Sequence, residues 1–394
     1  MSAPSPDLLA RVTWSLIAEP LDEVALALRR HCGPVDALAL ARTGTARELL
    51  RRTGTEPIPA AERAATEALS RWRHRLSSLD VGAVLADAGR RRLRVLTPEA
   101  PDWPGQRLAD LEHEQPSCLW LRGDGDLGEL LGRPVAAVVG SRASTRYGED
   151  VATSFAAGLA ARGAAVLSGG AYGIDAAAHR GALHATEGAT AAVLAGGLDR
   201  LYPRGNSDLL ERIAARHVLI SEAPPGTAPT RWRFLARNRL IAALADATVV
   251  VEASWRSGAL STARRAESLR RVVAAVPGPV TSAASAGCHR LLRESDAVLV
   301  TEVQDVLELL PGGDPAGDGG FAEQDALDLL EPADRRVLDA VPPRSSLDLA
   351  GIVREVALPE PQVVGAIARL ELMGHVEHAG ERIRRPRPAR QGRG

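Results

Sequence analysis

Two short loops of glycine and serine follow two apolar runs in the middle of the chain. They are Gly140-Ser141-Arg142 and Ser168-Gly169-Gly170. Glycine lets backbone approach a ligand closely, and the free N–H groups at a helix start attract anions. Arg142 can add paired, charge-assisted hydrogen bonds to a phosphate. The two loops therefore predict a site for two phosphates; the alternative for Arg142 is a salt bridge at the start of a helix.

A third segment, residues 229–239, combines aromatic rings with arginine. Trp232 and Phe234 lie there in a chain that is only 3% aromatic, and they alternate with four arginines, Arg231, Arg233, Arg237 and Arg239. Arginine neutralises backbone phosphates, and an aromatic face stacks on an unpaired base for ~1–3 kcal/mol. Because a duplex hides its base faces, this segment favours a single strand. The alternative is a core phenylalanine that staples the following helix beside a solvated arginine face.

Weaker candidates lie around these segments. Asp175 and His179 are four residues apart, but no nucleophile or metal partner is near them in the sequence. We therefore expect Asp175 to cap a helix and His179 to pack. Glu252 ends an apolar run, where a carboxylate either acts catalytically or, more often, orders neighbouring N–H groups. Ser257-Gly258 begins a further helix with small residues.

Strands and helices alternate regularly from 135 to about 310. The strand candidates are 135–139, 165–168, 190–194, 217–220, 248–252, 272–276 and 297–300. Runs that are apolar on both faces are typical of parallel strands buried between helices. The pattern predicts an α/β fold with a doubly wound, mostly parallel sheet, whose ligands lie beyond the carboxyl ends of the strands. Two short runs, 93–96 and 118–121, could extend this sheet.

Residues 1–85 form a predicted helical module. The expected helices are 8–17, 21–31, 35–41, 46–51 and 60–76, a pattern compatible with a SAM-like or helix-hairpin-helix module. Such modules grip DNA through a Gly-x-Gly hairpin. The matching segment, 18–22, contains no glycine and two acids, so a docking or structural role is favoured.

The carboxyl-terminal part begins with a Gly- and Pro-rich linker, 311–322. Residues 323–386 show three helix patterns and an alternating hairpin, which is the winged-helix arrangement. Arg369 is the only base on its presumed recognition helix, where Glu360 and Glu371 oppose it. A protein partner or a vestigial role is favoured over duplex reading. The basic tail, 387–394, is expected to be disordered and could add non-specific DNA contact.

Composition limits the function classes. The 394 residues carry a formal net charge of −1, so a nucleic-acid site must be a local patch. All 48 basic residues are arginine, which excludes a P-loop lysine and Schiff-base chemistry. The cysteines Cys32, Cys118 and Cys288 form no CxxC pair, and His375 and His378 have no further ligand nearby, so we expect no metal. Without a signal peptide or a membrane-length apolar run, a cytoplasmic protein without membrane contact is expected.

Taken together, the motifs resemble the DNA processing protein A (DprA/Smf) family. Seven motifs follow the family order: Gly140-Ser141-Arg142 with Tyr147-Gly148; 168–175 with His179; Gly196-Gly197-Leu198-Asp199 with Tyr202-Pro203 and Asn206; Ser221-Glu222 with Pro225-Gly226; Phe234 with Arg237-Asn238-Arg239; Glu252-Ala253 with Ser257-Gly258 and Thr262; and Val276-Pro277-Gly278. One glycine motif is weak evidence, whereas seven in register are specific.

The resemblance implies an extended Rossmann-like domain, expected over residues 86–310, that binds single-stranded DNA (ssDNA) without catalysis or a cofactor. Family members protect incoming strands in natural transformation, help to load RecA, and dimerise through the Rossmann-like domain. By position, Arg142 and Gly169-Gly170 would hold phosphates and Phe234 would stack on a base. The expected ssDNA site comprises Gly140, Ser141, Arg142, Ser168, Gly169, Gly170, Arg231, Phe234, Arg237, Asn238, Arg239, Ser257 and Gly258.

Two other function classes stay open. Related Rossmann-like folds act on or sense nucleotide-derived small molecules, but residues 195–199 lack the Pro-Gly-Gly-x-Gly-Thr-x-x-Glu run of the phosphoribohydrolases. A sequence-specific transcription factor that uses the winged helix is disfavoured by the acidic recognition helix.

Overall fold

A computed structural model describes residues 4–185, 188–312, 331–342, 346–380 and 382–385. The chain divides into two units, Met1–Pro315 and Ala316–Gly394. Apart from its first two residues, the expected linker at 311–322 lies outside the described residues, as does the tail at 387–394.

The larger unit begins with five helices. They are α1 (Pro6–Ile17), α2 (Glu23–Thr43), α3 (Ala46–Thr53), α4 (Pro59–Leu76) and α5 (Val81–Arg90). The two helices expected at 21–31 and 35–41 form one kinked element, α2, broken at Gly33, which has φ +74°. Trp14 and Trp72 meet edge to face at 5.1 Å in the core of these helices. Val12 and Ala88 pack with Trp120 of the sheet, so the helices share a core with it.

A nine-stranded sheet follows. Its strands are β1 (Leu93–Leu96), β2 (Leu119–Arg122), β3 (Val135–Val139), β4 (Ala165–Ser168), β5 (Ala189–Leu194), β6 (Val218–Ser221), β7 (Ala247–Val250), β8 (Val272–Ala275) and β9 (Val298–Leu299). The order is β1-β2-β6-β5-β4-β3-β7-β8-β9, antiparallel at β1 and β2 and parallel from β6 to β9. All nine predicted strands are confirmed within two residues at each end.

Helices cover both faces of this sheet. They are α6 (Gly105–Ala109), α7 (Leu127–Leu131), α8 (Arg146–Ala161), α9 (Ile174–Ala182), α10 (Ser207–Ala214), α11 (Arg231–Leu244), α12 (Ala259–Ser268), α13 (Ala286–Glu294) and α14 (Val303–Glu308). The packing of β3 explains why all of its residues are apolar. Val135 and Ala137 pack with α11 and α12, whereas Ala136 and Val138 pack with α8 and α9. A mostly parallel sheet between helices is therefore confirmed.

The order in which successive strands are added to the sheet reverses between the parallel neighbours β3 and β7. From β3 the chain proceeds through β4 and β5 to β6 on one side, and β7, β8 and β9 extend the other side. Open α/β sheets bind ligands at such a switch point, beyond the carboxyl ends of the strands. The loops that follow β3 and β7 meet there, because Ser141 N–H donates to the Glu252 carbonyl at 2.7 Å.

The smaller unit contains α15 (Pro332–Ala340), α16 (Leu349–Val356) and α17 (Glu360–Leu372). Three short strands, β10 (Ser346–Asp348), β11 (Glu377–Ala379) and β12 (Arg382–Arg384), form an antiparallel sheet in the order β10-β12-β11. Val337, Ile352 and Val363 belong to a separate core. Over the described parts of both units, no helix is both long and apolar enough to cross a bilayer.

Candidate nucleic-acid interface

An open groove of about 910 Å³ lies at the switch point. Its walls are the loop after β3, the loop after β7, and the first turns of α11 and α12. The groove therefore occupies the position that the sheet topology predicts for a ligand.

The groove is strongly basic in a chain that is almost neutral overall. The described lining contains six arginines, namely Arg142, Arg231, Arg237, Arg256, Arg264 and Arg290. Asp175 is the only carboxylate in that lining, and it is buried. Concentrated positive charge with no exposed acid favours a polyanionic ligand.

Phe234 is the aromatic centre of the groove. The guanidinium carbon of Arg142 lies 4.2 Å from the ring centre, and that of Arg237 lies 5.7 Å from it. The Tyr202 ring is tilted at 59° with its centre 6.2 Å away. Phe234 is half-buried and Arg142 is exposed. Arg142 thus stacks on an aromatic face beside open space, an arrangement that suits a nucleobase and its phosphate.

One face of α11 points into the groove. Thr230 caps this helix by accepting the Arg233 N–H at 3.3 Å, so the helix begins at Arg231. Its groove-lining residues are Arg231, Phe234, Leu235, Arg237, Asn238 and Ile241. The spacings of three, four and seven residues are those of a single helical face.

The opposite face of α11 holds the amino-terminal helices. Arg233 forms an ion pair with Glu19 at 2.8 Å, and Glu19 also accepts from Arg75 at 2.9 Å. The Trp232 indole donates to the Pro20 carbonyl at 3.4 Å. Residues 18–22, which lack the glycines of a DNA-binding hairpin, therefore dock against α11. This is the docking role that the sequence favours over DNA binding.

Arg239 does not line the groove, contrary to the expectation from the resemblance. Its side chain is 1% exposed, and its Nη2 donates to Glu222 Oε1 at 2.8 Å. Its Nη1 lies 2.8 Å from Glu222 Oε2 without hydrogen-bond geometry and donates to the Ala236 carbonyl instead. Arg239 therefore lies outside the groove-lining face of α11, and its charge is paired with Glu222 in the interior.

Arg237 forms part of the groove floor and supports the second glycine loop. Its Nη1 donates to the carbonyls of Gly169, at 2.9 Å, and Val193. Burial lowers the pKa of Arg237 to about 10, so it stays charged at neutral pH. Burial raises the pKa of Asp175, and the charge of Arg237 opposes that rise. A side chain at position 169 would collide with the guanidinium, so glycine is required there.

The model of the DNA recombination-mediator protein A family matches residues 94–311. The chain is 47% identical to a putative DNA processing protein DprA of Mycobacterium tuberculosis over 384 residues, which cover 94% of this chain and 92% of the relative. The chain belongs to the DNA processing protein A family.

Two pneumococcal comparisons agree with this family assignment. The DNA processing protein DprA of Streptococcus pneumoniae is 43% identical over 195 residues, covering 50% of this chain and 67% of that protein. The X-ray structure of DNA processing protein A from the same organism superimposes with a TM-score of 0.60 at 31% identity, covering 78% of this chain and 98% of the other.

In this member of the DNA processing protein A family, the glycine loops divide between groove and core. Gly140, Ser141, Ser257 and Gly258 line the groove, and Gly169 lines an adjoining cavity of about 40 Å³ beside Phe234. The Ser168 hydroxyl is buried and donates back to the Val138 carbonyl at 2.6 Å. Gly170, at φ +67°, packs against Leu194. Ser168 and Gly170 therefore shape the loop and do not line the groove.

Three acid–base candidates have structural contacts. The expectation that Asp175 caps α9 is wrong. The N-cap is Gly173, whose φ of +73° favours glycine. Asp175 lies inside the first turn and accepts the Ala171 N–H at 3.3 Å. Glu252 is buried and accepts from Thr145 N and Thr145 Oγ1 at 2.9 and 2.5 Å. His179 is fully buried and contacts Thr190 Oγ1 at 2.8 Å. Glu252 thus orders an N–H group, and His179 packs, as the sequence favours.

The buried His179 predicts a pH-dependent stability. Burial lowers its folded-state pKa from 6.5 to about 3, so between these values the unfolded chain binds a proton that the folded chain does not. Stability should fall as pH drops below 6.5, with a slope approaching about 1.4 kcal/mol per pH unit from this group. Urea unfolding between pH 7.5 and pH 5 should show a weaker slope in His179→Gln. The exposed His184→Gln is the control, and equal slopes in both variants would contradict the assignment.

Groove residues missed by sequence analysis come mainly from the loop after β7, from α12 and from α13. Trp255, Arg256, Arg264 and Arg290 line the groove, and so does Tyr202, which entered only as part of a family motif. Trp255-Arg256 repeats the aromatic–arginine pairing of 231–239, directly before Ser257. That pairing is the sequence signal that could have identified Trp255 and Arg256 as groove residues. For Arg264 and Arg290, the sequence carries no comparable signal.

Proposed function

We propose that this protein binds single-stranded DNA in the groove, protects the strand, and helps to load a RecA recombinase during recombination or natural transformation, without catalysing a reaction. The observation that carries the proposal is Arg142 stacked 4.2 Å from the centre of the Phe234 ring, in a groove whose described lining has six arginines and no exposed acid. Family membership supports a role in DNA processing.

The aromatic face favours a single strand over a duplex. A base can stack on Phe234 only when its own face is unpaired. In the proposed site, Arg142 and Arg231 hold phosphates on either side of that base, with backbone N–H groups of the Gly140 and Gly169 loops. At the start of α12, Gly258 supplies a further N–H group to the strand.

The decisive experiment compares ssDNA with duplex DNA of equal length, at two salt concentrations, with and without RecA. We expect preferential ssDNA binding and faster RecA assembly on coated ssDNA. Equal affinity for both DNA forms, or no binding to either, would overturn the proposed site. Normal ssDNA binding with no effect on RecA would remove only the loading role.

Salt dependence provides a quantitative check of the phosphate contacts. Arg142, Arg231, Arg256 and Arg264 are exposed, and none is paired with a carboxylate among the described residues. Four phosphate contacts predict a slope of log affinity against log salt of about −2.8, and Arg256→Ala should reduce its magnitude by about 0.7. The matched control is Arg63→Ala, an exposed arginine of α4 away from the groove. An unchanged slope in Arg256→Ala would exclude this phosphate contact.

The alternative is an enzyme or sensor for a nucleotide-derived small molecule. Asp175, the only acid in the described groove lining, is buried and held beside Arg237, so it is poorly placed to activate water. This favours binding over catalysis. Release of a free base from nucleoside monophosphates by the pure protein would reverse that preference.

We further propose a winged-helix assignment for residues 323–386, with a protein partner. Arg369, the only base of α17, is tied to the buried Asp334 at 2.6 Å, and this contact raises the pKa of Arg369. The pairing leaves the helix without a free cation for a duplex. Selective duplex binding by an isolated 322–386 fragment would overturn this proposal.

The remaining assignments belong to the same proposal. We place the boundaries of the amino-terminal module at 1–85 and of the Rossmann-like domain at 86–310. We also propose a homodimer through that domain, which would join two grooves, and a cytoplasmic setting, in line with three unpaired cysteines. Sedimentation of the pure protein tests the dimer.

A further inference from the structure

We infer that Trp255 and Arg290 form a second base-stacking platform, which binds another nucleobase of the same DNA strand beyond the Phe234 site. The inference rests on the proposed ssDNA function and extends it. The observation that carries it is a second arginine–aromatic stack in the same groove: the Arg290 guanidinium carbon lies 4.8 Å from the centre of the Trp255 ring.

The position of Trp255 is unusual for a structural tryptophan. Its side chain is 57% exposed, and it belongs to none of the hydrophobic core clusters of the described residues. Trp14, Trp72 and Trp120 are all buried. An exposed indole contributes little to stability through burial, but it offers a large flat surface to a ligand.

The backbone holds Trp255 in place. A turn closed by Ser257 N–H donating to the Ser254 carbonyl at 3.0 Å has Trp255 and Arg256 at its two central positions. The same loop is tied to α13, because Gly287 N–H donates to the Ala253 carbonyl at 2.7 Å. Since α13 also carries Arg290, this set of backbone contacts brings the ring and the guanidinium together.

Arg290 packs on the ring and forms only a long i,i+4 ion pair with an acid. Its carboxylate neighbour, Glu294, is 3.8 Å away, too far for a hydrogen bond. With Arg290 on one side, more than half of the indole surface still faces solvent. A base that stacks there would have a cation on the far side of the ring, as a base at Phe234 would have Arg142 beside it.

The charges that line the groove suit a continuous strand. Strands β3 and β7 are neighbours, ~4.8 Å apart, so the loops that follow them adjoin along the groove. Arg256 and Arg264, both exposed, also line the groove. One strand could therefore place bases on both rings while its phosphates meet these two arginines.

The test uses the full-length protein and a ladder of oligothymidylates of increasing length, measured by fluorescence anisotropy. Short oligonucleotides that fill only the Phe234 site should bind Trp255→Ala and wild type equally. Longer oligonucleotides should bind Trp255→Ala at least about fivefold more weakly, whereas Trp255→Phe should retain most of the affinity. Thermal unfolding of each variant verifies the fold.

Intrinsic fluorescence gives an independent readout with a matched control. Of the six tryptophans, Trp232 is comparably exposed, at 53%, but it faces the amino-terminal helices and does not line the groove. Quenching of tryptophan emission by long ssDNA should be lost in Trp255→Phe and kept in Trp232→Phe.

Each outcome separates this inference from the proposed function. If Phe234→Ala weakens binding but Trp255→Ala binds every length like wild type, the second platform is wrong and the ssDNA function stands. An equal loss at all lengths, or a loss confined to the effect on RecA, would likewise overturn the second platform. If wild type binds no oligonucleotide, the proposed function itself fails.

Discussion

Phe234→Ala is expected to weaken ssDNA binding by about 1–3 kcal/mol, which is the effect of losing one stacked base. The half-buried ring lies in the groove between Arg142 and Tyr202, and no other aromatic side chain in the described lining shares its contact with Arg142. Fluorescence anisotropy with labelled oligothymidylate measures the loss. Phe234→Trp, which keeps an aromatic face, should retain most of the affinity.

The matched control is Leu235→Ala, because Leu235 lines the same groove on the next position of α11 but has no aromatic face. Its affinity should stay near that of wild type. Arg142→Ala should also weaken binding, and the Phe234–Arg142 double variant should lose less than the sum of the single losses, because the two side chains act as one stack. Wild-type affinity in a folded Phe234→Ala variant would show that the ring is not the binding surface.

Arg239→Met is expected to have the opposite profile, a large loss of stability with ssDNA affinity retained. Arg239 is buried against Glu222 and also donates to the carbonyls of Glu114 and Ala236. Removing one partner of a buried ion pair leaves an uncompensated charge and costs about 3–5 kcal/mol. Urea unfolding measures the stability, and anisotropy under native conditions measures the affinity.

The double variant Arg239→Met, Glu222→Leu separates the charge from the packing. Replacing a buried ion pair by apolar side chains is often close to neutral, so the second substitution should recover part of the lost stability. If instead the folded Arg239→Met variant loses ssDNA affinity without losing stability, Arg239 contacts the strand and its placement beside Glu222 is not the functional one.

The contrast between Phe234 and Arg239 shows what a motif leaves undetermined. Both lie in 231–239, and both match the family pattern. At 3.6 residues per turn, Arg239 is rotated by about 80° from Arg231 around the axis of α11. Whether a side chain at that angle faces a groove or a core depends on the elements around the helix. Here Glu222 and the 112–114 turn cover the Arg239 side chain.

Trp255 and Arg290 show a second limit of sequence analysis, which is that a local pattern does not identify a distant partner. They are 35 positions apart in the sequence, on a loop after β7 and on α13, and only the neighbouring positions of β7 and β8 bring them together. A local aromatic–arginine pattern can mark Trp255, but no local pattern can supply a partner from another strand–helix unit.

The sequence by itself determined the sheet and the helices on both of its faces, and it predicted the place of the proposed ligand site. Apolar runs such as 135–139, repeated between helix patterns, are typical of parallel strands buried between helices, and glycine loops at their carboxyl ends favour an anion there. Tertiary structure alone decided which arginines are available to that anion. Arg142 and Arg231 face the groove, Arg233 and Arg239 are neutralised by Glu19 and Glu222, and Arg237 supports the floor. The reason is physical: a guanidinium binds whichever acceptor the fold places beside it, and those acceptors come from distant parts of the chain.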